Sequence, residues 1–274
     1  MPQNISSLVV YINQDLFEQA GLEIAESSWS WEQLLFAAEK ISDLSEDVDG
    51  VGIEPSLYRF APFIWQTDGT LIDQNSVVLP ASAPNLSAIG WLIELQTEYQ
   101  VTPSQLKTKS LALEERFISG QLGMLFESRR LTPTLRQVAK FNWDVAPLPL
   151  GEVMAGVLHS DGYCLGQSPS AETLAFIRFA VSKEGQMIMA QTGRTVPSLK
   201  SVAESSVFLE SELPPANGQV WLDGVEHLKA VPWHPNWIEI EKLASAELEQ
   251  AFYGHITLEE AIARIHDQTE TIGD

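Results

Sequence analysis

The feature that most constrains this chain is its alternation of short, wholly apolar runs with segments of helical period. Leu8-Val9-Val10-Tyr11-Ile12 is apolar at every position, the pattern of a strand covered on both faces. Ser30 stands three residues before Gln33, a capping-box pattern opening a helix with Trp31, Leu34, Leu35, Ala38 and Ile41 on one face. The acidic stretch from Ser45 to Pro55 predicts a turn into a short strand. A helix ending at Gly120 gives way to a strand from Leu122 to Phe126, and Pro147 and Pro149 hold Phe141 to Pro149 extended. Further on, a helix from about Ala171 buries Leu174, Ile177 and Val181, and another ends near Gly193. Thr257 and Glu260 form a second capping box, for a helix presenting Leu258, Ala261, Ile262 and Ile265. Such alternation predicts α/β layers. With 274 residues and no repeat or linker, two lobes sharing several chain crossings fit better than separate beads.

Charge removes whole classes of partner. Asp and Glu number 37 against 16 Lys and Arg, a net charge of −21, which repels phosphate backbones and anionic lipid headgroups. No nucleic-acid partner is expected. No run approaches the ~18 uninterrupted apolar residues of a membrane span. The opening residues 1–7 lack a basic segment leading into an apolar core. Cys164 is the single cysteine, and its apolar neighbours predict a buried structural thiol.

Enzyme chemistry leaves no positive mark. The five histidines, 159, 227, 234, 255 and 266, have no metal-ligand spacing, and no phosphate-binding glycine loop or nucleophile elbow is present. Ser45, Asp47, Asp49 and Gly50 imitate the start of a calcium loop, but Ser56 stands where the bidentate Glu belongs, so an acidic turn is expected there. No catalytic residue, metal or cofactor is predicted. Aromatic residues stand out instead: eight Trp, 11 Phe and five Tyr, several beside polar groups in the stretches Tyr58-Arg59-Phe60, Phe63-Ile64-Trp65-Gln66 and Trp233 to Trp237. An aromatic face stacks on the C–H face of a sugar while neighbouring donors fix its hydroxyls. Trp31, Trp91 and Trp143 are read as core; Trp237, after His234-Pro235-Asn236, is a candidate contact.

Seven short segments, in order, resemble bacterial extracellular solute-binding proteins of the sugar-importer class. Tyr11 to Leu22 resembles that family's "YNKDLFEKAGL", Ser30 to Leu34 its "TWDEL", and Phe63 to Gly69 its "LLWQNGG". Phe117 to Met124, Trp143 to Pro149, Ser182 to Gln186 and Val196-Pro197 match further segments in sequence. The resemblance implies a two-lobe periplasmic-binding-protein type II fold with a solute in the inter-lobe cleft and delivery to the permease subunits of an ATP-driven importer. It implies a monomer outside the cytoplasm, binding a sugar or sugar-like solute without catalysis. A carbohydrate-active enzyme and a degenerate paralogue that keeps the fold without transport are the competing readings.

The same resemblance carries ligand contacts to Ser6, Arg59, Phe60, Trp65, Arg129, Arg130, Gly156, His159, Ser160, Asp161 and Trp237. Arg130 replaces the family's usual tryptophan, and Arg59, Arg129 and Arg130 together suggest an anionic group on the solute. A C-terminal lobe is expected from residues 11–157 plus 230–274, and a first-lobe remnant with hinge crossovers from 1–10 plus 158–229. In the family the segment matching residues 2–13 lies well inside the mature chain. Met1 is therefore expected not to begin the functional polypeptide, leaving one lobe incomplete and apolar faces such as Leu174, Ile177 and Val181 exposed.

Overall fold

The computed structural model describes residues 1–24, 28–210, 212–270 and 272. The chain opens with β1 (Asn4–Ile5) and β2 (Leu8–Asn13), then α1 (Gln14–Gln19), α2 (Trp31–Ser42), β3 (Asp49–Gly52), α3 (Leu57–Gln66) and α4 (Ala83–Thr97). Two short helices, α5 (Gln105–Ser110) and α6 (Leu113–Ile118), lead to β4 (Leu122–Ser128), α7 (Thr132–Val138) and β5 (Trp143–Ala146). After β6 (Gly156–Leu158) come α8 (Ala171–Ala180), α9 (Lys183–Ala190), β7 (Val196–Pro197), α10 (Lys200–Ala203), α11 (Ser206–Leu209) and α12 (Val220–Asp223). The chain ends with β8 (Leu228–Ala230), α13 (Trp237–Phe252) and α14 (Leu258–Glu270).

The apolar run Leu8 to Ile12 becomes the inner strand of a four-stranded sheet ordered β3-β4-β2-β5. It runs antiparallel to both neighbours, with Val10 opposite Phe126 and Ala146, and Tyr11 opposite Leu125 and Val145. β3 adds a parallel edge on β4. Successive side chains of a strand point to opposite faces, so β2 feeds two cores. Leu8, Val10 and Ile12 face a core completed by α2, α3, α4, α13 and α14. Val9 and Tyr11 face another, with Trp143, Phe117 and Leu135. All six β2 residues are buried.

Helix starts follow the capping chemistry. The Ser30 hydroxyl accepts from the Gln33 N–H while the Gln33 side chain accepts from the Ser30 N–H. Thr257 and Glu260 make the same reciprocal pair. The calcium-loop look-alike resolves into a buried ion pair: Asp49 accepts from Arg116 at 2.7 Å and Lys107 at 2.9 Å. Gly50 lets β3 touch α2, since a Cβ there would lie 2.1 Å from the Ala38 carbonyl oxygen.

Three expectations are corrected. Residues 196–224, grouped above with the first-lobe remnant, bury Val196, Val202, Phe208, Val220 and Trp221 against the Tyr11 face of the main sheet. That apolar face needs a cover, and this segment supplies it. On α8, Ile177 is buried and Leu174 and Val181 are half-buried; the exposed apolar side chains there are Phe176 and Phe179, with Ile188 on α9. Cys164 is exposed, because its apolar neighbours lie in an irregular surface stretch and not in a strand.

Candidate binding cleft

A cleft of about 760 Å³ opens where β1, the start of α3, the end of β4, the segment after β6 and the start of α13 converge. Each wall has a local cause. Ser56 caps α3, its hydroxyl accepting from the Arg59 N–H, and this sets Tyr58 and Arg59 at the helix entrance facing the cleft. Pro62 inside α3 has no N–H to offer the Tyr58 carbonyl. The segment carrying His159 is tied to β1's continuation by a reciprocal backbone pair, Ser6 N–H to the His159 carbonyl at 2.7 Å and the reverse at 2.9 Å.

Asn4, only 3% exposed, organises the adjoining corner. Its amide donates to Asp161 Oδ2 at 2.9 Å, its Oδ1 accepts from the Asp161 N–H, and its carbonyl accepts from the Ser160 hydroxyl. Opposite stands Trp237, the first residue of α13, half-buried, with Nε1 donating to Glu241 Oε2 at 2.9 Å. The Tyr58 ring meets His159 edge-to-face at 6.2 Å. Burial pushes the Tyr58 phenol up to about 12.

The charges are largely spoken for. Arg59 donates to Glu127 at 2.7 Å and lies 3.5 Å from Glu54. Glu127 is itself buried and also accepts from the Ser128 N–H and hydroxyl. Arg130 pairs with Glu114 at 2.5 Å and lies 3.8 Å from Glu127. Arg194, exposed at the rim beside Thr195, makes no ion pair among the described residues. Among those residues no cluster of three or more His, Cys, Asp or Glu side chains is placed to hold a metal ion. The cleft thus offers two aromatic surfaces, oriented donors and oriented acceptors, the inventory for holding a polar solute by its hydroxyls.

Of the expected contacts, Ser6, Arg59, Arg130, His159, Asp161 and Trp237 line this cleft. Ser160 stands behind it, its hydroxyl used on Asn4. Phe60 and Trp65 are corrected: both lie in the helical core, 0% and 6% exposed, because α3 is wrapped on nearly every side and buries its aromatic residues. Arg129 is corrected too. It is 2% exposed behind the sheet, stacked between Phe208 and Trp221 at 4.1 and 4.7 Å. Gly156 pairs with β8, and a Cβ there would meet Leu228 at 2.8 Å. Asn4, Glu54, Tyr58, Glu127, Arg194 and Glu241 are lining residues not predicted from sequence. Tyr58, beside Arg59 and after a cap-forming Ser56, carried a legible signal; Arg194 carried none.

The model of one family, bacterial extracellular solute-binding proteins, matches residues 1–215. Curated proteins of Brucella abortus and Brucella suis, whose names give them as candidate binding proteins, are 22% identical over 265 residues. The alignment takes in 93% of this chain and 62% of each relative, so the chain spans less than two thirds of their length. Among solved structures, the Listeria monocytogenes ABC substrate-binding protein Lmo0181, in complex with cycloalternan, superposes with a TM-score of 0.90 at 24% identity. That match covers 100% of this chain and 71% of the Listeria one. Maltose-bound MalE3 of T. maritima gives 0.80 at 21%, covering 99% and 72%. UgpB of Mycobacterium tuberculosis, in complex with glycerophosphocholine, gives 0.83 at 18%, covering 98% and 69%. At these identities the likeness establishes the fold, that of MalE-like two-lobe binding proteins.

Proposed function

The chain belongs to the family of bacterial extracellular solute-binding proteins, and on that premise we propose that it is the solute-binding component of an ATP-driven importer. It works outside the cytoplasm, takes a sugar or sugar-like solute into the 760 Å³ cleft and delivers it to a permease without chemical change. One observation carries the reading. Tyr58 and Trp237 flank a cleft whose Arg59, Glu127 and Asp161 are already held in fixed hydrogen bonds. Preorganised donors and acceptors around aromatic faces suit a neutral, polyhydroxylated solute.

A second reading of the solute has its own observation: Arg194 lines the cleft without a carboxylate partner among the described residues, which favours a solute bearing an anionic group. A thermal-shift screen over maltose, maltotriose, mannitol, tagatose and glycerophosphocholine, followed by calorimetry and product analysis, tests both. A ligand at 100 times its dissociation constant adds about 2.7 kcal/mol of stability. The proposal stands if one compound raises the melting temperature and is recovered intact. Absence of any shift, or appearance of hydrolysis products, overturns it.

A further inference from the structure

Behind the cleft, residues 7–9 enter the sheet, residues 147–156 leave it and residues 220–228 cross beside both, enclosing a separate cavity of about 230 Å³. Its floor is apolar: Leu8, Val9, Ala155 and Val220 are each buried. Leu150 and Met154 stand at its open mouth, 37% and 49% exposed. Ser28, Asp223 and His227 line its exposed edge, Ser7 is buried in its wall, and the side chain of Gln66 is already spent. Gln66 Oε1 accepts from Trp31 Nε1 at 2.7 Å and from the Gly151 N–H at 3.0 Å, while its Nε2 donates to the Ala155 carbonyl at 3.2 Å. Water lying over the four apolar side chains of the floor gains no hydrogen bond from them. An apolar molecule loses nothing there, and a dry cavity of about 150 Å³ is already enough to take benzene.

We propose that this crevice is a binding site for a small, largely apolar molecule of about indole size, whose single polar group reaches Asp223 or His227 at the rim. The site does not depend on what the cleft holds, yet it adjoins the same strands. Ser6 lines the cleft one residue before Ser7 of the crevice, and His159 follows three residues after Gly156. The two strands are bonded to each other through Ser6 and His159. An occupant touches from behind the segments whose next residues face the cleft, so occupancy shifts the cleft's geometry, and the coupling acts in both directions.

The test uses the full chain with indole as the probe, followed by calorimetry and by NMR of the Trp237 indole N–H. Met154→Trp plugs the mouth from an exposed position, and Leu150→Trp does so from the facing side if the first variant folds poorly. We expect saturable one-site binding to the wild type, a loss of about tenfold or more with either plug, and a change below about twofold with Trp237→Ala. Indole should also move the Trp237 resonance without contacting it. No saturation up to the solubility limit overturns the site. So does binding that is lost on Trp237→Ala but kept on plugging, which would place the probe in the cleft. An unmoved Trp237 resonance overturns the coupling.

Discussion

Arg129 donates its Nε–H to the carbonyl of Gly193 at 3.0 Å from behind the main sheet, and the residue after Gly193 is in the cleft. Gly193 takes a φ of +67°, a left-handed turn that glycine adopts without penalty, and it directs Arg194 and Thr195 toward the rim. A second bond from Arg129 Nη2 to the Phe208 carbonyl, and the two flanking rings, hold the guanidinium in place. A buried cation thereby adds to the local bonds of this turn, such as the Gly193 N–H to the Ala190 carbonyl at 2.9 Å.

Replacing Arg129 with Met tests this. Two buried carbonyls lose their donors, each at a cost of about 1–3 kcal/mol. We expect the urea midpoint to fall accordingly, with the larger loss of mobility control at residues 193–195. A midpoint equal to wild type would show that the bonds contribute nothing.

Tyr58 gives a pH signature. Burial raises its folded pKa to about 12, whereas an unfolded tyrosine titrates near the usual 10. Below pH 10 both states hold the proton and stability is unaffected. Between 10 and 12 the unfolded state releases it first, so stability falls as pH rises, by about 2–3 kcal/mol in all. Tyr11, raised by burial in the sheet core, pulls the same way. Tyr58→Phe should therefore flatten part of the alkaline loss, measured as melting temperature between pH 9 and 12; an identical slope argues against a protected phenol.

Trp237→Ala should weaken binding of whichever carbohydrate the screen returns by about tenfold or more, since it removes one of the cleft's two aromatic surfaces. Helix α13 is anchored by buried Ile240, Ala244, Leu248 and Phe252, so circular dichroism should not change. Unaltered affinity in calorimetry would remove Trp237 from the contact set.

Gly50→Ala should be among the most damaging single methyl additions. The added Cβ meets the Ala38 backbone of α2, which cannot yield without lifting the helix off β3, at a cost of about 1–3 kcal/mol or more. Chemical denaturation measures it directly, and a neutral result would mean the helix shifts freely.

Strand β2 and the capped helices were readable because their signals are local: an unbroken apolar run, a hydroxyl three residues before a partner. The cleft was readable in part, through segments that resemble a family. It failed where neighbours in sequence part company in space. Arg129 and Arg130 are adjacent, yet one is sealed behind the sheet and the other points to the rim. Phe60 and Trp65 sit beside polar residues, the pattern of a solute contact, but the Ser56 cap turns the segment into a helix with no solvent face to spare. Arg194 is delivered by the contact between Gly193 and Arg129, 64 positions apart, and no window of sequence contains both.

The pairing of Arg59 with Glu127 and Glu54 settles how the cleft responds to its surroundings as well as to its solute. A cation whose counterions are built into the wall recruits none from solution and releases none when the site fills. Uptake of a neutral carbohydrate by such a site proceeds at the same affinity in dilute buffer and in brine, despite the net charge of −21 around it. A solute that instead engages Arg194, which has no ion-pair partner among the described residues, would bind less tightly with each increment of salt, so ionic strength alone separates the two kinds of cargo.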